Sequence, residues 1–365
     1  MSHNRKLLLF MTPGVGLNTW QDNGTYNREI KFYLEYLKRG WEVTIASFEE
    51  SISGSKSVDG IQVISCPHRY LLFLLPFVLR KFIKNVDILK TNQSWRCWWY
   101  VIAARLLNKP ILLRCGWLPG RSFEIRNGLS LGLRIYQLKE AWAFRNADLI
   151  EVATEEDKEW ASKNYNLPLE KIHVLPNFID IDLFRPLKID SEPRTLVFVG
   201  RLTEVKNIPL LIDACSRVGI SKLTLIGEGE LKTDLILYAK EQDVKVEILG
   251  RKKQEELPEL LQKSSIFVLP SRAEGHPKVL LEAMACGMPC IGTKVPGIQN
   301  VIKHFETGIL VESSVDSMAN GIEQLFEDRE LARRLGLAAR TYIEENLTFN
   351  KVFSQEFELI DSLLT

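Results

Sequence analysis

Short apolar runs alternate with stretches of helical periodicity along the whole chain. KLLLFM (6–11) leads to REIKFYLEYLKRG (28–40) and then to EVTIAS (42–47). DILKT, ARLLNKPILLRCG and ADLIEVAT carry the scheme to residue 154, and TLVFVGR, LTLIGEGE, VEILGR, SIFVLPS and PCIGTK repeat it in the second half. Strands that are apolar almost throughout, rather than at every second position, are strands buried on both faces. Each run is followed by a helical pattern, which predicts parallel sheets covered by helices on both sides. The stretch PNFIDIDLFRPLKIDSEPRT (176–195) interrupts the alternation with three prolines before TLVFVG restarts it. The expected architecture is therefore two doubly wound α/β domains, over 1–185 and 186–349. A last amphipathic helix over 350–365 can pack on either, including back on the N-terminal domain. SISGSKS (51–57) reads as a turn. Ligands of open α/β sheets bind beyond the carboxyl ends of the strands. The two domains are thus expected to face each other across a cleft, with the chemistry just after the strands.

Composition narrows the class. With 365 residues, 45% apolar and 25% charged, the chain has the make-up of a two-domain globular protein. Its six cysteines include no CxxC pair, which points to a reducing cytosol. Cys286 and Cys290 read as small buried thiols. The run KLLLFM is cut by Thr12-Pro13-Gly14, too early for a secretory leader, and reads as a first buried strand. No apolar run reaches the roughly 20 residues of a membrane span.

The net charge of +1 hides an asymmetry: between 51 and 150, 15 Lys and Arg stand against 5 Asp and Glu. A basic half favours an anionic partner, and a solvated surface is the plainer reading. Within it, RYLLFLLPFVLRKFIK (69–84) sets an apolar segment against Arg80, Lys81 and Lys84. That combination suits the surface of an anionic membrane. A helix buried between layers is the other reading, and Pro76 argues against a regular amphipathic helix. Trp95, Trp98 and Trp99 in WRCWWY are either core or a platform for a lipid or sugar acceptor. No nucleic-acid partner is expected.

Several candidate residues fall just after predicted strands. Gly200-Arg201 follows TLVFV, and Lys206 comes one turn later; two cations beside a helix start make a phosphate site. Gly227 and Gly229 in IGEGE permit close backbone approach or a simple turn. Near the start, Gly14 and Gly16 lack the GxGxxG spacing and are not expected to run straight into a helix, whereas Asn23-Gly24 immediately precede the first one. In SRAEGHPKVLLEAMACGMPC (271–290), Pro277 suits the first turn of a helix ending near Gly287. Glu274 precedes that helix and Glu282 lies about one and a half turns inside it. The two carboxylates therefore mark two ends of a ligand rather than a tight glycosidase pair. Asp180-Ile181-Asp182 is a DxD, which in another fold would hold a metal; here it lies in the linker, and no metal is expected.

Taken together, these stretches resemble one family. Gly200-Arg201-Leu202 with Lys206, Gly227-Glu228-Gly229, Gly250, Ser271 with Glu274-Gly275, Leu281-Glu282-Ala283 and Thr307-Gly308 look like the retaining glycosyltransferases of group 1, family 4. So does Pro176-Asn177-Phe178-Ile179-Asp180 with Phe184. The resemblance covers nearly the whole chain and is strongest from 172 to 312. It implies a GT-B fold, with two Rossmann-like domains and a nucleotide diphosphate-sugar held as co-substrate mainly by the C-terminal domain, without a metal or other cofactor. Carried over, Arg201 and Lys206 would hold the diphosphate, Glu282 the ribose hydroxyls, and Glu274 the donor sugar. The backbone of Gly275, His276, Lys278 and Val279 would lie near sugar and phosphate. The loop at Gly250-Arg251 would meet the base, and Gly24 would stand for the family's N-terminal glycine pair.

The chain departs from the family pattern at a few places. Cys115, within Arg114-Cys115-Gly116-Trp117, stands where a histidine is frequent. His276 replaces an aromatic residue, and Gln299-Asn300 replaces a glutamate. These changes fall on the acceptor side, where Arg114, Cys115 and Trp117 are the candidates, and on the donor-sugar side. The implied activity is hexosyl transfer to a glycan or lipid-linked acceptor, as in surface polysaccharide, lipopolysaccharide or glycolipid synthesis. The implied place is the cytoplasm, including the inner face of its membrane. A nucleotide-sugar epimerase or hydrolase on the same fold, or a non-catalytic sugar-nucleotide module, are the alternatives.

Overall fold

A computed structural model describes residues 4–49, 55–128 and 130–365. The chain divides into two compact units, residues 1–176 with 353–365, and residues 177–352.

The sheet of the first unit holds β1 (Lys6–Phe10), β2 (Glu42–Ser47), β3 (Ser55–Val58), β4 (Ile61–Ser65), β5 (Ile88–Thr91), β6 (Ile111–Cys115), β7 (Leu149–Val152) and β8 (Ile172–Val174). Their order is β3-β4-β2-β1-β5-β6-β7-β8, all parallel except the β3–β4 hairpin at the edge. Residues 55–57 of the expected turn are thus strand, and residues 51–54 lie outside the described residues. β1 is buried on both faces from Leu7 to Phe10, as its unbroken apolar run requires.

One expectation near the start is corrected. Gly16 is the N-cap of a helix, Leu17–Asp22, that begins directly after the first strand's loop. Gly24, at φ 66°, sits in the turn between this helix and Tyr26–Lys38. The six-residue helix is too short for its periodicity to stand out from a loop.

The second unit holds β9 (Glu192–Val199), β10 (Lys222–Ile226), β11 (Val246–Gly250), β12 (Ser264–Leu269), β13 (Cys290–Thr293) and β14 (Ile309–Val311), all parallel, in the order β11-β10-β9-β12-β13-β14. The chain winds outward from β9 in one direction and then, from β12 onward, in the other. β9 and β12 are therefore the pair at which the order reverses.

The unit boundary lies at Pro176/Asn177 rather than at 185/186. Ile179 and Phe184 are buried in the core of the second unit. The Arg340 guanidinium donates to the carbonyls of Phe184 (2.5 Å) and Ala285 (2.7 Å), so the proline-rich stretch is tied down on that unit. Asp180 of the DxD accepts from the amides of Asp182 and Leu183 and opens a local turn.

The last helix runs from Phe349 to Leu364, and from Phe353 onward it belongs to the first unit. There Phe353 and Phe357 pack their rings against Tyr36. Glu356, fully buried, pairs with the buried Lys90 ammonium and accepts from Tyr36 Oη at 2.9 Å. Burial first, and the nearby Glu356 second, push the neighbouring Glu151 up to about 8, so it stays protonated at neutral pH. Apolar periodicity places this helix on some core; the buried ion pair restricts which surface it accepts, because either partner alone would be a costly unpaired charge.

Candidate functional site

The carboxyl ends of β9, β10, β11 and β12 carry most of the predicted residues, and backbone hydrogen bonds join their loops. Gly200 N donates to Ile226 O (3.0 Å), Leu202 N to Glu228 O (2.9 Å) and Gly227 N to Gly250 O (2.9 Å). Gly227 lies at φ 147°, and a Cβ there would stand 1.9 Å from Gly200 O, so only glycine lets these two loops touch. A similar contact holds the other side. A Cβ on Gly297 would lie 2.1 Å from Gly275 O and 2.4 Å from Glu274 O. The loop after β12 is thereby pressed onto the short helix Pro296–Gln299.

Lys206 does not open a long helix. It ends a short turn, Glu204–Lys206, and Asn207 follows at φ 50° before the helix Ile208–Val218. The turn aims the Lys206 ammonium at Glu274, with which it forms a partly buried ion pair. Ser271 Oγ donates to the same Glu274 oxygen at 2.6 Å, and Arg272 N to Val205 O at 2.8 Å. The loops after β9 and β12 are thus bound together at the point where the sheet reverses. Arg201, on the same loop, is exposed, and its guanidinium makes no ion pair among the described residues.

The helix after β12 runs from Lys278 to Ala285, with Pro277 as N-cap, no side-chain cap, and Gly287 closing it at φ 72°. Its first amides, from Lys278 and Val279, precede the first i→i−4 bond, from Leu281 N to Pro277 O. That N-terminus carries the positive end of the helix dipole beside Glu274-Gly275. Glu282, only 2% exposed, turns toward the loop after β11, where Gln254 Nε2 lies 3.4 Å from its Oε1. Gly250 and Arg251 precede Gln254 on that loop. The carboxylates therefore serve opposite ends of one array: Glu274 the β9–β12 pair, Glu282 the β11 side.

His276 is positioned rather than free to turn. Asn177 N donates to His276 Nδ1 (3.2 Å), and Asn177 Nδ2 donates to His276 O (2.8 Å). A backbone amide can only donate, so this bond leaves Nδ1 as the acceptor and puts the imidazole proton on Nε2. Ser271, Gln254 and Gly297 were not singled out as site residues by sequence reasoning. Ser271 alone left a trace, as a member of the family-like stretch with Glu274-Gly275 directly after the strand SIFVLP.

The acceptor-side candidates lie in the first unit, as does Gly24. Cys115 is fully buried; its thiol lies 3.0 Å from Ser94 Oγ and donates to Trp117 O at 3.0 Å. Burial pushes it well above the ordinary thiol range, so it stays protonated and fixes the Trp117 loop. Arg114 Nη1 donates to Leu175 O (2.5 Å) and lies 3.9 Å from Glu151, within the sheet. Trp117 is half-buried, edge-on to Phe123 at 6.0 Å.

Two successive doubly wound sheets, the second with a cation–carboxylate array at its reversal point, define the GT-B class of fold. The fold matches that of Anabaena HepE, solved with UDP, with a TM-score of 0.80 over 98% of this chain and 100% of that one, at 17% identity. The chain belongs to the group 1, family 4 glycosyltransferases. The family description Glycosyl transferases group 1 matches residues 180–342, and Glycosyltransferase Family 4 matches residues 30–183. The chain is 31% identical, over 68% of each protein, to the Escherichia coli UDP-Gal:alpha-D-GlcNAc-diphosphoundecaprenol alpha-1,3-galactosyltransferase. It is 33% identical to the N-acetyl-alpha-D-glucosaminyl L-malate synthase of Bacillus anthracis. That match spans 52% of this chain and about half, 53%, of the synthase.

Proposed function

We propose that this protein is a retaining glycosyltransferase that moves a hexose-type sugar from a nucleotide diphosphate-sugar to a glycan or lipid-linked acceptor. The product belongs to bacterial-type surface polysaccharide or glycolipid, and the work is done in the cytoplasm. The observation that carries this reading is the Lys206–Glu274 pair, held by Ser271 where β9 and β12 reverse the sheet order, beside the exposed Arg201. A nucleotide-binding sheet places its ligand at this point. The UDP-Gal-dependent activity of the E. coli relative, and the UDP bound by HepE, support a nucleotide-sugar donor.

In this reading the diphosphate takes Lys206 away from Glu274, and Glu274 turns to the donor sugar's hydroxyls. Arg201, Lys206 and the amides at the start of the helix Lys278–Ala285 take up the charge that grows on the departing diphosphate, and no metal is needed. Glu282 and the Gly250-Arg251 loop hold ribose and base. The bond from the anomeric carbon to the phosphate oxygen breaks, and the acceptor oxygen bonds to that carbon on the same face. The departing phosphate oxygen takes the acceptor's proton. Glu274 orients the sugar through hydrogen bonds and forms no covalent bond to it.

A thermal-shift screen against UDP-, GDP-, ADP- and dTDP-sugars tests the donor. One base series should raise the melting temperature, and a response to none of them would sink the reading. With the donor known, the product's anomeric configuration should equal the donor's, and EDTA should leave the rate unchanged. An inverted product would overturn retention, and loss of rate in EDTA would overturn metal independence.

A further inference from the structure

Three helical segments lie side by side on the first unit: Leu75–Val78 with Arg80–Lys84, then Trp98–Leu106, then Leu131–Asn146. Ring contacts connect them, Phe73 to Trp99 and Trp98 to Tyr136. Both outer members expose large apolar side chains. On the first, Leu72, Leu75 and Leu79 are buried, while Tyr70, Phe73, Phe77 (71% exposed) and Val78 stand out into solvent. On the last, Leu131 (77% exposed), Ile135, Leu138 and Trp142 are all exposed. Their spacing of four, three and four residues puts them within about 60° of arc, in a stripe about 16 Å long. Isolated exposed leucines are ordinary; two apolar rows on helices that flank the same third helix mark an interaction surface.

The charges on these three segments carry one sign; the acid nearest the stripe, Glu124 of a neighbouring helix, is held by Gln137. No Asp or Glu occurs from 67 to 85 or from 92 to 110, and the only one from 130 to 147 is the buried Glu140. Arg80, Lys81, Lys84, Arg134 and Lys139 are exposed and form no ion pair among the described residues; Lys139 lies over the Trp98 ring. A protein partner of mixed charge would leave such a face half matched. A sheet of phosphates above an apolar layer matches both its features.

We infer that this face lies on an anionic lipid bilayer. Residues 70–78 and the stripe Leu131–Trp142 enter the headgroup boundary together, and the lysines and arginines at their rims meet the phosphates. No helix among the described residues is long and apolar enough to cross a membrane. The contact is therefore interfacial, and two shallow rows give it a stable orientation where one short broken helix would give only weak attachment.

The test is sedimentation of the full-length protein with vesicles of phosphatidylglycerol and phosphatidylcholine, or of phosphatidylcholine alone, at low and high salt. Wild type should partition onto the anionic vesicles and weaken as salt rises. The pairs Leu131→Ser with Leu138→Ser, and Phe73→Ser with Phe77→Ser, should each lower the partition about tenfold or more. Lys81→Gln with Lys84→Gln should lower it about fivefold per cation at low salt and much less at high salt. Leu131 and Leu138 are largely exposed, so in that variant the melting temperature and its response to the nucleotide-sugar should not move; that response reports the transferase reading separately. Failure of wild type to bind anionic vesicles overturns the inference. Unchanged binding of the Leu131/Leu138 variant removes the stripe from it. If light scattering shows that the wild type is a dimer and this variant a monomer, with vesicle binding unchanged, the face joins two copies of the chain instead.

Discussion

Replacing Glu274 with Gln separates the two jobs assigned to this residue. The amide is nearly isosteric, and both contacts of the carboxylate, from Lys206 and from Ser271, converge on one oxygen that the amide oxygen can replace. The fold should therefore survive with little change in melting temperature. Two functional effects of opposite sign follow. A hydrogen bond from a sugar hydroxyl to a carboxylate contributes about 1.5–3 kcal/mol, so losing its charge should lower transfer about 10- to 150-fold. The same change releases Lys206 from its counter-ion. The pair is partly exposed, with side-chain exposures of 17% and 12%, and is worth about 1 kcal/mol at most. Binding of the bare nucleoside diphosphate should then tighten by up to about fivefold, while turnover of the sugar donor falls. Calorimetry with the diphosphate, beside a nucleotide-release assay with donor and acceptor, reads both effects. Full transfer activity in the variant would refute the positioning role. Parallel loss of binding and melting temperature would show that Glu274 only holds its loop together.

Arg201→Ala should leave stability within about 0.5 kcal/mol of wild type, since the side chain is exposed, yet lower transfer at least tenfold; unchanged kinetics would remove it from the diphosphate site. Gly227→Ala puts a Cβ 1.9 Å from Gly200 O, so it should forfeit several kcal/mol of stability and abolish the nucleotide thermal shift, as read by calorimetry. A variant with normal melting would mean that the β9 and β10 loops can separate. Burial raises Glu140 to about 7 in the folded protein against 4.5 in solvent. The native state thus keeps a proton that the unfolded chain gives up, and stability fully present below pH 4.5 should decline by about 3 kcal/mol as pH rises from 4.5 through 7. Glu140→Gln should lessen the decline seen in urea titrations from pH 5 to 8, leaving the share of the buried Glu151, and an unchanged slope would refute the assignment.

The positions of most candidate residues were legible because they follow strand ends, and strand ends are local features. A buried parallel strand has to be an apolar run, and Gly200, Gly227 and Glu274 come directly or shortly after such runs. Pro277 marks a helix start for an equally local reason, its missing amide. Short-range patterns could not show that Leu17–Asp22 is a helix, since six residues give too little periodicity. Nor could they show the surroundings of the Cys115 thiol, which only the family resemblance put on the acceptor side. Its burial against Ser94 depends on a residue brought from another strand end, and its bond to the Trp117 carbonyl closes the turn after its own strand.

Sequence periodicity by itself determined that this chain makes two parallel, doubly wound sheets, because the burial of each strand is encoded in its own residues. Which strands become neighbours was decided only in three dimensions, by how the crossovers fill the sheet outward from β1 and from β9. That step sets β12 against β9 and brings Glu274 to Lys206 across 68 positions of chain. The exposed stripe on Leu131–Asn146 belongs to the same level. A row of apolar residues at helical spacing reads alike whether buried or bare, and only the neighbours that pack on the other side of the helix left this one uncovered.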